Sequence, residues 1–377
     1  MDISIIQRIQ NQMTEPIILL FILFFEMCLT FALFMKDRTA IVCKDDGKGG
    51  PGHLADSPHA KEETSFPKKE KEGIASPETT EKKPSIRKQS LVRTGSYIIH
   101  AISLQGRGHM SDDIPCQDFH HIEQLDDNML LVAVSDGAGS KENAETGSQL
   151  VCEMCSDRMK EAIKTMKWDR EHLPEPPVWD MIFRKTVEAI QQGLAIYAEK
   201  NESVSFDSLA ATMMVLLITP VKAFFGHIGD GRAGILTPDG WRAIMTPHKG
   251  EEANQTVFVT NNVLESGLRL SDVPVPETSV IESPIKAFVM MSDGCEDGLW
   301  TKNRKEILPN GDFRYVPLNL PFEPALDDII KRLSGCEEDR EAEELFISLV
   351  SQYNRPLKYE MDDKTLCIGF KGTTEQK

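Results

Sequence analysis

The chain has 377 residues, 40% hydrophobic and 27% charged, with a formal net charge of −17. Such a length accommodates one large domain or two medium ones with a full core. The acidity argues against nucleic-acid binding, which needs a basic face for phosphates. Part of that acidity is local, in the run at 337–344, and reads as a solvated helix face.

Residues 1–16 form a short N-terminal segment. Residues 17–35 are an almost unbroken apolar run. As a helix they extend about 28 Å, close to the hydrocarbon thickness of a bilayer, and predict one transmembrane helix. Glu26 at its centre is costly unless protonated or paired, and Thr30 one turn on offers a hydrogen bond. No small-residue cleavage site follows directly, as a signal peptide requires. Lys36, Arg38, Lys44 and Lys48 follow the run, whereas Arg8 alone precedes it. The cation-rich side stays inside, so the reading is a single-pass cell-membrane protein with its C-terminal domain in the cytoplasm.

Residues 36–94 mix lysines and glutamates with punctuating prolines and glycines, and hardly an aromatic. That composition predicts a disordered linker, because it buries too little apolar surface to offset ordering entropy. The folded part is expected over 95–372. It opens with a strand at 97–104, a turn at 105–109, and a helix with apolar positions from Leu150 to Met166. Cys152 and Cys155 make a C-x-x-C on that helix, but no second pair follows, so zinc is not expected there. The scattered cysteines suit reduced thiols. A second helix is predicted over 178–200, then strands at 211–218, 222–228 and 256–260, with a hairpin at 234–244 turning at Asp239-Gly240. A strand at 287–292, helices at 325–333 and 341–353, and a strand at 365–370 complete the chain. Strands in runs and helices in pairs predict an α+β fold.

The chemistry lies in a repeated pattern. Residues 130–134 are an apolar run entering Ser135-Asp136-Gly137, and residues 287–291 enter Ser292-Asp293-Gly294 in the same way. Residues 224–228 lead to Gly229-Asp230-Gly231-Arg232, and Asp362-Asp363-Lys364-Thr365 stands at the start of the last strand. Asp136, Asp230 and Asp293 sit where a strand leaves the core, and Asp362 and Asp363 where one begins. Carboxylates gathered without a cation oppose one another's ionisation. All-oxygen clusters of this kind suit Mg²⁺ or Mn²⁺.

With Gln117-Asp118, this ordered set resembles the metal-dependent protein phosphatases (PPM type), the 2C-type serine/threonine phosphatases, in a bacterial-like form with an N-terminal membrane anchor. The resemblance covers roughly residues 97–370. It implies two antiparallel β-sheets packed as a sandwich flanked by helix pairs, preceded here by the transmembrane helix, with metals at one end. It further implies two Mn²⁺ or Mg²⁺ ions bridged by Asp136, with the Gly137 carbonyl on one ion and Asp293 and Asp362 completing the other. Asp118 would orient water, and Asp230 with Asp293 would hold a weaker third ion. A bridging water made acidic by the ions would attack the phosphorus of phosphoserine or phosphothreonine in line, with no covalent phosphoenzyme. The partners implied are phosphorylated Ser/Thr proteins and a cognate kinase, with no nucleic acid.

Three positions depart from the family pattern. Asp113 stands where an arginine commonly grips the substrate phosphate. Arg107 and His109 are the nearest replacements, Arg for its planar fork and His as a proton donor to the leaving group. Ala138 replaces a histidine, and Gly231 a serine. Two other readings stay open: a non-catalytic, membrane-anchored phosphoprotein- or kinase-binding module of the same fold, and a phosphatase of small phosphorylated metabolites.

Overall fold

A short apolar run with no polar alternation has two faces to bury, and that demand organises this molecule. The computed structural model describes residues 83–94, 96–125, 129–248, 256–265, 267–270, 273–309 and 311–372. In chain order it begins with β1 (Ile86–Arg93), β2 (Tyr97–Leu104), a short α1 (Arg107–Asp112), β3 (Phe119–Gln124) and β4 (Leu130–Ser135). Two long helices follow, α2 (Ala144–Met166) and α3 (Pro176–Lys200), then β5 (Met213–Ile218), β6 (Ala223–Ile228), β7 (Arg232–Thr237) and β8 (Gly240–Ala243). The short β9 (Arg269–Leu270) and β10 (Val273–Pro274) precede β11 (Glu277–Ile281) and β12 (Ala287–Met291). Last come α4 (Glu296–Leu299), β13 (Trp300–Ile307), β14 (Phe313–Pro321), α5 (Glu323–Ser334), α6 (Asp339–Gln352), α7 (Arg355–Tyr359) and β15 (Lys364–Lys371).

Among the described residues, one sheet runs β1-β2-β15-β12-β7-β8 and a second runs β11-β6-β5-β4-β3, with antiparallel neighbours throughout. Because strand side chains alternate, Leu130, Val132 and Val134 of β4 pack between the sheets with Phe225, Phe288 and Met290. Leu131, one step out of phase, packs under α2 and α3 with Val151, Met159, Trp179 and Phe183. On the opposite side Val289, Leu366 and Ile368 lie under α5 and α6 with Leu326, Ile329 and Phe346. The α+β sandwich expected from the sequence is therefore present, as two sheets between two helical layers.

Trp179 anchors the first helical layer: it is fully buried, and its indole N–H donates to the Phe225 carbonyl at 2.8 Å. Trp179→Ala is expected to cost about 3–5 kcal/mol of stability, read from the denaturant midpoint, because a large cavity opens beneath α3.

Four local readings need correction. The linker ends earlier than residue 94, since Ile86–Arg93 is an edge strand in register with β2. A backbone ladder holds this polar strand, so composition gives no sign of it. Residues 257–260 form no strand: Val259 is buried against the α2–α3 layer instead. Residues 105–109, expected to be a turn, run instead into the helix α1, which spans Arg107–Asp112. The hairpin β13–β14 was not foreseen, because its exposed residues, such as Ile307 and Tyr315, break the apolar–polar alternation. The apolar run at 17–35 and the linker as far as residue 82 lie outside the described residues. Among the described residues no helix is long and apolar enough to cross a membrane.

Candidate active site

The strand ends bring the aspartates to one rim. Asp136 follows β4, and its ionisation is opposed first by burial and then by Asp118, Asp293, Asp362 and Asp230, which holds its carboxyl well above the usual range. Those neighbours come from four other segments of the chain. Asp293, at the end of β12, is pushed up to about 7 by burial and by Asp230 and Asp362, and shares a hydrogen bond with Asp136. Two carboxylates come that close only by sharing a proton or a cation. Asp118 is almost wholly buried, and burial with the nearby Asp363 raises its pKa strongly. Asp362 stands at the exposed rim and is raised as well, by desolvation and then by Asp363, with His109 acting in the opposite sense. Asp230 accepts a 2.7 Å hydrogen bond from the Thr256 hydroxyl.

The two Ser-Asp-Gly turns are built alike, and in both the serine fastens the turn. Ser135 Oγ donates to the Thr212 carbonyl at 2.5 Å, while the Asp136 N–H donates to Thr212 Oγ1 at 2.9 Å. Ser292 Oγ donates to Asp118 Oδ2 at 2.6 Å and accepts the Thr365 N–H at 2.9 Å, tying three distant segments together. The glycines permit the close approach. A β-carbon on Gly294 would overlap the Asp363 carbonyl, and one on Gly106 would overlap the Asp362 carbonyl. Gly137 is similarly enclosed by the carbonyls of Gln117 and Ala144.

Three residues important to this arrangement have no role assigned by the sequence alone. Asp363 is buried and accepts the N–H groups of Gly106 and Gln117 at 2.7 and 2.5 Å, so it holds the α1 and Asp118 loops against β15. Ser292 is the second; the recurrence of Ser-Asp-Gly at 135–137 and 292–294 is the signal the sequence offers. Arg87 is the third, concealed in the segment read as linker. Its guanidinium donates to the carbonyls of Cys116, Asp118 and Glu145 at 3.2, 3.0 and 2.7 Å and to Ser148 Oγ at 3.1 Å, and lies over the Phe119 ring. Arg87→Ala strands those carbonyls and is expected to cost about 1–3 kcal/mol, seen as a lowered urea midpoint. Arg87→Lys is not expected to restore it, since an ammonium cannot reproduce the fork.

The residues expected to replace the missing arginine lie in two different places. His109 on α1 sits with Nδ1 2.9 Å from Asp363 Oδ2, without hydrogen-bond alignment, beside the carboxylate rim. Arg107 instead lies 5.3 Å over the Tyr359 ring and lines a cavity of about 590 Å³ with Lys358 and Lys364. Asp113 caps α1 in the left-handed conformation, φ 60°, which Asp tolerates better than most residues and which explains a short polar side chain there. Ala138 is buried and brings no polar group. Cys152 and Cys155 are buried inside α2, the former donating to the Phe119 carbonyl.

The donor chemistry of this rim suits a divalent cation. The donors are carboxylate oxygens, their ionisation is suppressed by one another, and Asp293 Oδ1 is buried with no hydrogen-bond partner. Positive charge supplied there relieves all three features at once.

Comparison with known proteins agrees in kind. The family model Protein phosphatase 2C matches residues 105–345. Over 163 residues, 42% of this chain, the sequence is 31% identical to serine/threonine-protein phosphatase 3 of Escherichia coli (strain K12), covering 61% of that protein. Over 122 residues, 32% of this chain, it is 22% identical to serine/threonine phosphatase stp of Listeria monocytogenes, covering 44% of that protein. The chain thus spans 61% and 44% of the length of these relatives. Among solved structures, serine-threonine phosphatase 2C from Toxoplasma gondii superposes with a TM-score of 0.48 at 13% identity, covering 76% of this chain and 99% of that one. Since the family model spans well over half of the sequence, from the residue after β2 into α6, this chain belongs to the protein phosphatase 2C family.

Proposed function

We propose that the chain is a Mn²⁺- or Mg²⁺-dependent phosphatase of phosphoserine and phosphothreonine in proteins. The observation that carries this reading is the meeting of Asp118, Asp230, Asp293 and Asp362 around Asp136, whose ionisation is opposed by burial and then by those four carboxylates. Asp136 and Asp293, with the Gly137 carbonyl and Asp362, would hold two ions, and Asp230 with Asp293 a weaker third. When bound, such ions supply an acidic water near neutral pH and positive charge for the phosphoryl oxygens.

The protein's own groups do the rest. Asp118, held by the Ser292 hydroxyl on Oδ2, would orient a water at the rim. Asp363 fixes the loops on either side, so the rim is arranged before a substrate arrives. His109 stands beside this rim and supplies the proton to the departing serine or threonine oxygen, a task Ala138 cannot perform. Arg107, Lys358 and Lys364 line the adjoining cavity and receive negatively charged parts of the phosphoprotein.

The apolar run at 17–35 supports tethering to the cell membrane, with the phosphatase domain in the cytoplasm beside its phosphoproteins and their kinase. Retention of the full chain in carbonate-washed membranes, and release of a chain lacking residues 1–82, is the expected fractionation.

The enzymatic test is hydrolysis of a phosphothreonine peptide by the full chain with Mn²⁺. Turnover that EDTA abolishes and Mn²⁺ restores is expected. Cation binding and phosphopeptide binding without turnover would replace this reading with the non-catalytic module. Turnover confined to small phosphorylated metabolites would move the substrate class.

A further inference from the structure

A second group of metal-ligating side chains lies away from the aspartates. His227 on β6 and Glu277 on β11 are directly opposite one another across the strand pair, and His248 comes from the segment after β8. One donor atom from each lies within 4.8 Å of the others. Both imidazoles are fully buried, and they lie parallel, 8° apart in plane, with centroids separated by 4.2 Å.

The hydrogen bonds assign the tautomers. His227 Nε2 faces the Thr246 carbonyl and His248 Nε2 faces the Pro274 carbonyl, each at 3.0 Å. A carbonyl can only accept, so both rings carry their proton on Nε2 and present a lone pair at Nδ1. His227 Nδ1 is buried with no hydrogen-bond partner and lies 3.7 Å from Glu277 Oε2, too far for a shared proton. His248 Nδ1 receives one long contact, from the Gly229 N–H at 3.3 Å. Glu277 Oε2 accepts the Thr246 N–H at 2.8 Å. Burial disfavours the imidazolium of both rings, so protonation is not the ready remedy. Three electron-pair donors therefore lie within 4.8 Å of one another with no positive charge among them, the two stacked rings holding their in-plane lone pairs side by side.

We propose that His227, His248 and Glu277 form a separate transition-metal site of the Zn²⁺ class. Neutral imidazoles whose second nitrogen donates to a backbone carbonyl, together with one carboxylate, are the usual donors for zinc and poor ones for Mg²⁺. Metal–nitrogen distances of about 2.0–2.1 Å put neighbouring donors roughly 3.3–3.5 Å apart, so binding would close His227 and Glu277 from 3.7 Å and turn the His248 ring out of the stack, exchanging its Gly229 contact for the ion. The partly exposed Glu277 gives an entry path. The ion would pin β6, the 246–248 segment and the β10–β11 connection together. His248 N–H already donates to the Gly229 carbonyl at 2.8 Å, so the clamp sits one residue from Asp230 and steadies it as a positioning element.

The test uses Co²⁺ as a spectroscopic probe on the full chain in excess Mg²⁺, which occupies the carboxylate rim. One equivalent of Co²⁺ is expected to bind with the intense visible absorption of a four-coordinate ion, and Zn²⁺ to displace it. His248→Ala and Glu277→Gln should each weaken binding by more than the roughly 100-fold that loss of an outer-shell partner costs. Asp136→Asn should leave the absorption unchanged. Glu277→Gln is nearly isosteric, and a native circular dichroism spectrum for it separates lost ligation from lost folding. Only the weak absorption of six-coordinate Co²⁺, or four-coordinate binding indifferent to both substitutions, would overturn the site. The readout is independent of turnover, so its failure leaves the phosphatase reading standing.

Discussion

Asp136→Asn is expected to abolish phosphopeptide hydrolysis, with a loss larger than the roughly 10–100-fold that follows removal of an outer-shell partner. The substitution is close to isosteric and keeps the Thr212 contacts, which run through the Asp136 backbone N–H and carbonyl. What disappears is one negative charge at the point where Asp118, Asp230, Asp293 and Asp362 all act. The metal-free variant should therefore be at least as stable as the parent, because a buried repulsion is relieved. Calorimetric Mn²⁺ titration beside the peptide assay checks both halves. Retained turnover, or a variant that is unstable yet binds Mn²⁺ normally, would contradict the role assigned to Asp136.

The second large effect is the coupling of cation, pH and stability. In the metal-free protein the carboxyls of Asp118, Asp136, Asp293 and Asp362 all titrate above their ordinary range. For Asp293 the window runs from its unfolded value of 3.8 to about 7. Inside it the folded state holds protons that the unfolded state has lost, so stability from these groups falls as pH rises. Buried histidines act in the opposite sense: His100 is lowered to about 4 and His120 to about 3, chiefly by burial. The clean quantity is thus the Mn²⁺-induced gain in Tm at each pH. That gain should be large at about pH 8, where cations replace absent protons, and small at about pH 5, where protons compete. An equal gain at both values would show that the carboxylates are not the binding groups.

How far the primary sequence could be read depended on whether a signal was local. The long helices and central strands were legible, because residues such as Val151, Met159 and Ile190 repeat with the helical period while 130–134 and 287–291 are short, continuous apolar runs. Asp136, Asp230 and Asp293 stand out in the sequence because each follows such a run, and the Ser-Asp-Gly turn occurs twice. β1 was not, since Gln89 and Lys88 look like linker until β2 supplies a ladder. Arg87 was missed for the same reason: nothing nearby in sequence announces that its partners will be Cys116, Asp118 and Glu145.

Order and chemistry along the chain thus pointed to the family and to carboxylates at strand ends, a donor set that suits hard cations. Folding settled which groups meet. It placed Asp363 under the loops of Gly106 and Gln117, set Ser292 on Asp118, moved Arg107 to Tyr359 while His109 stayed at the rim, and stacked His227 on His248. The reason is physical. Propensity and burial act on neighbours in the chain, whereas hydrogen bonds, charge repulsion and metal ligation depend on distances that arise only when segments far apart in sequence are packed together.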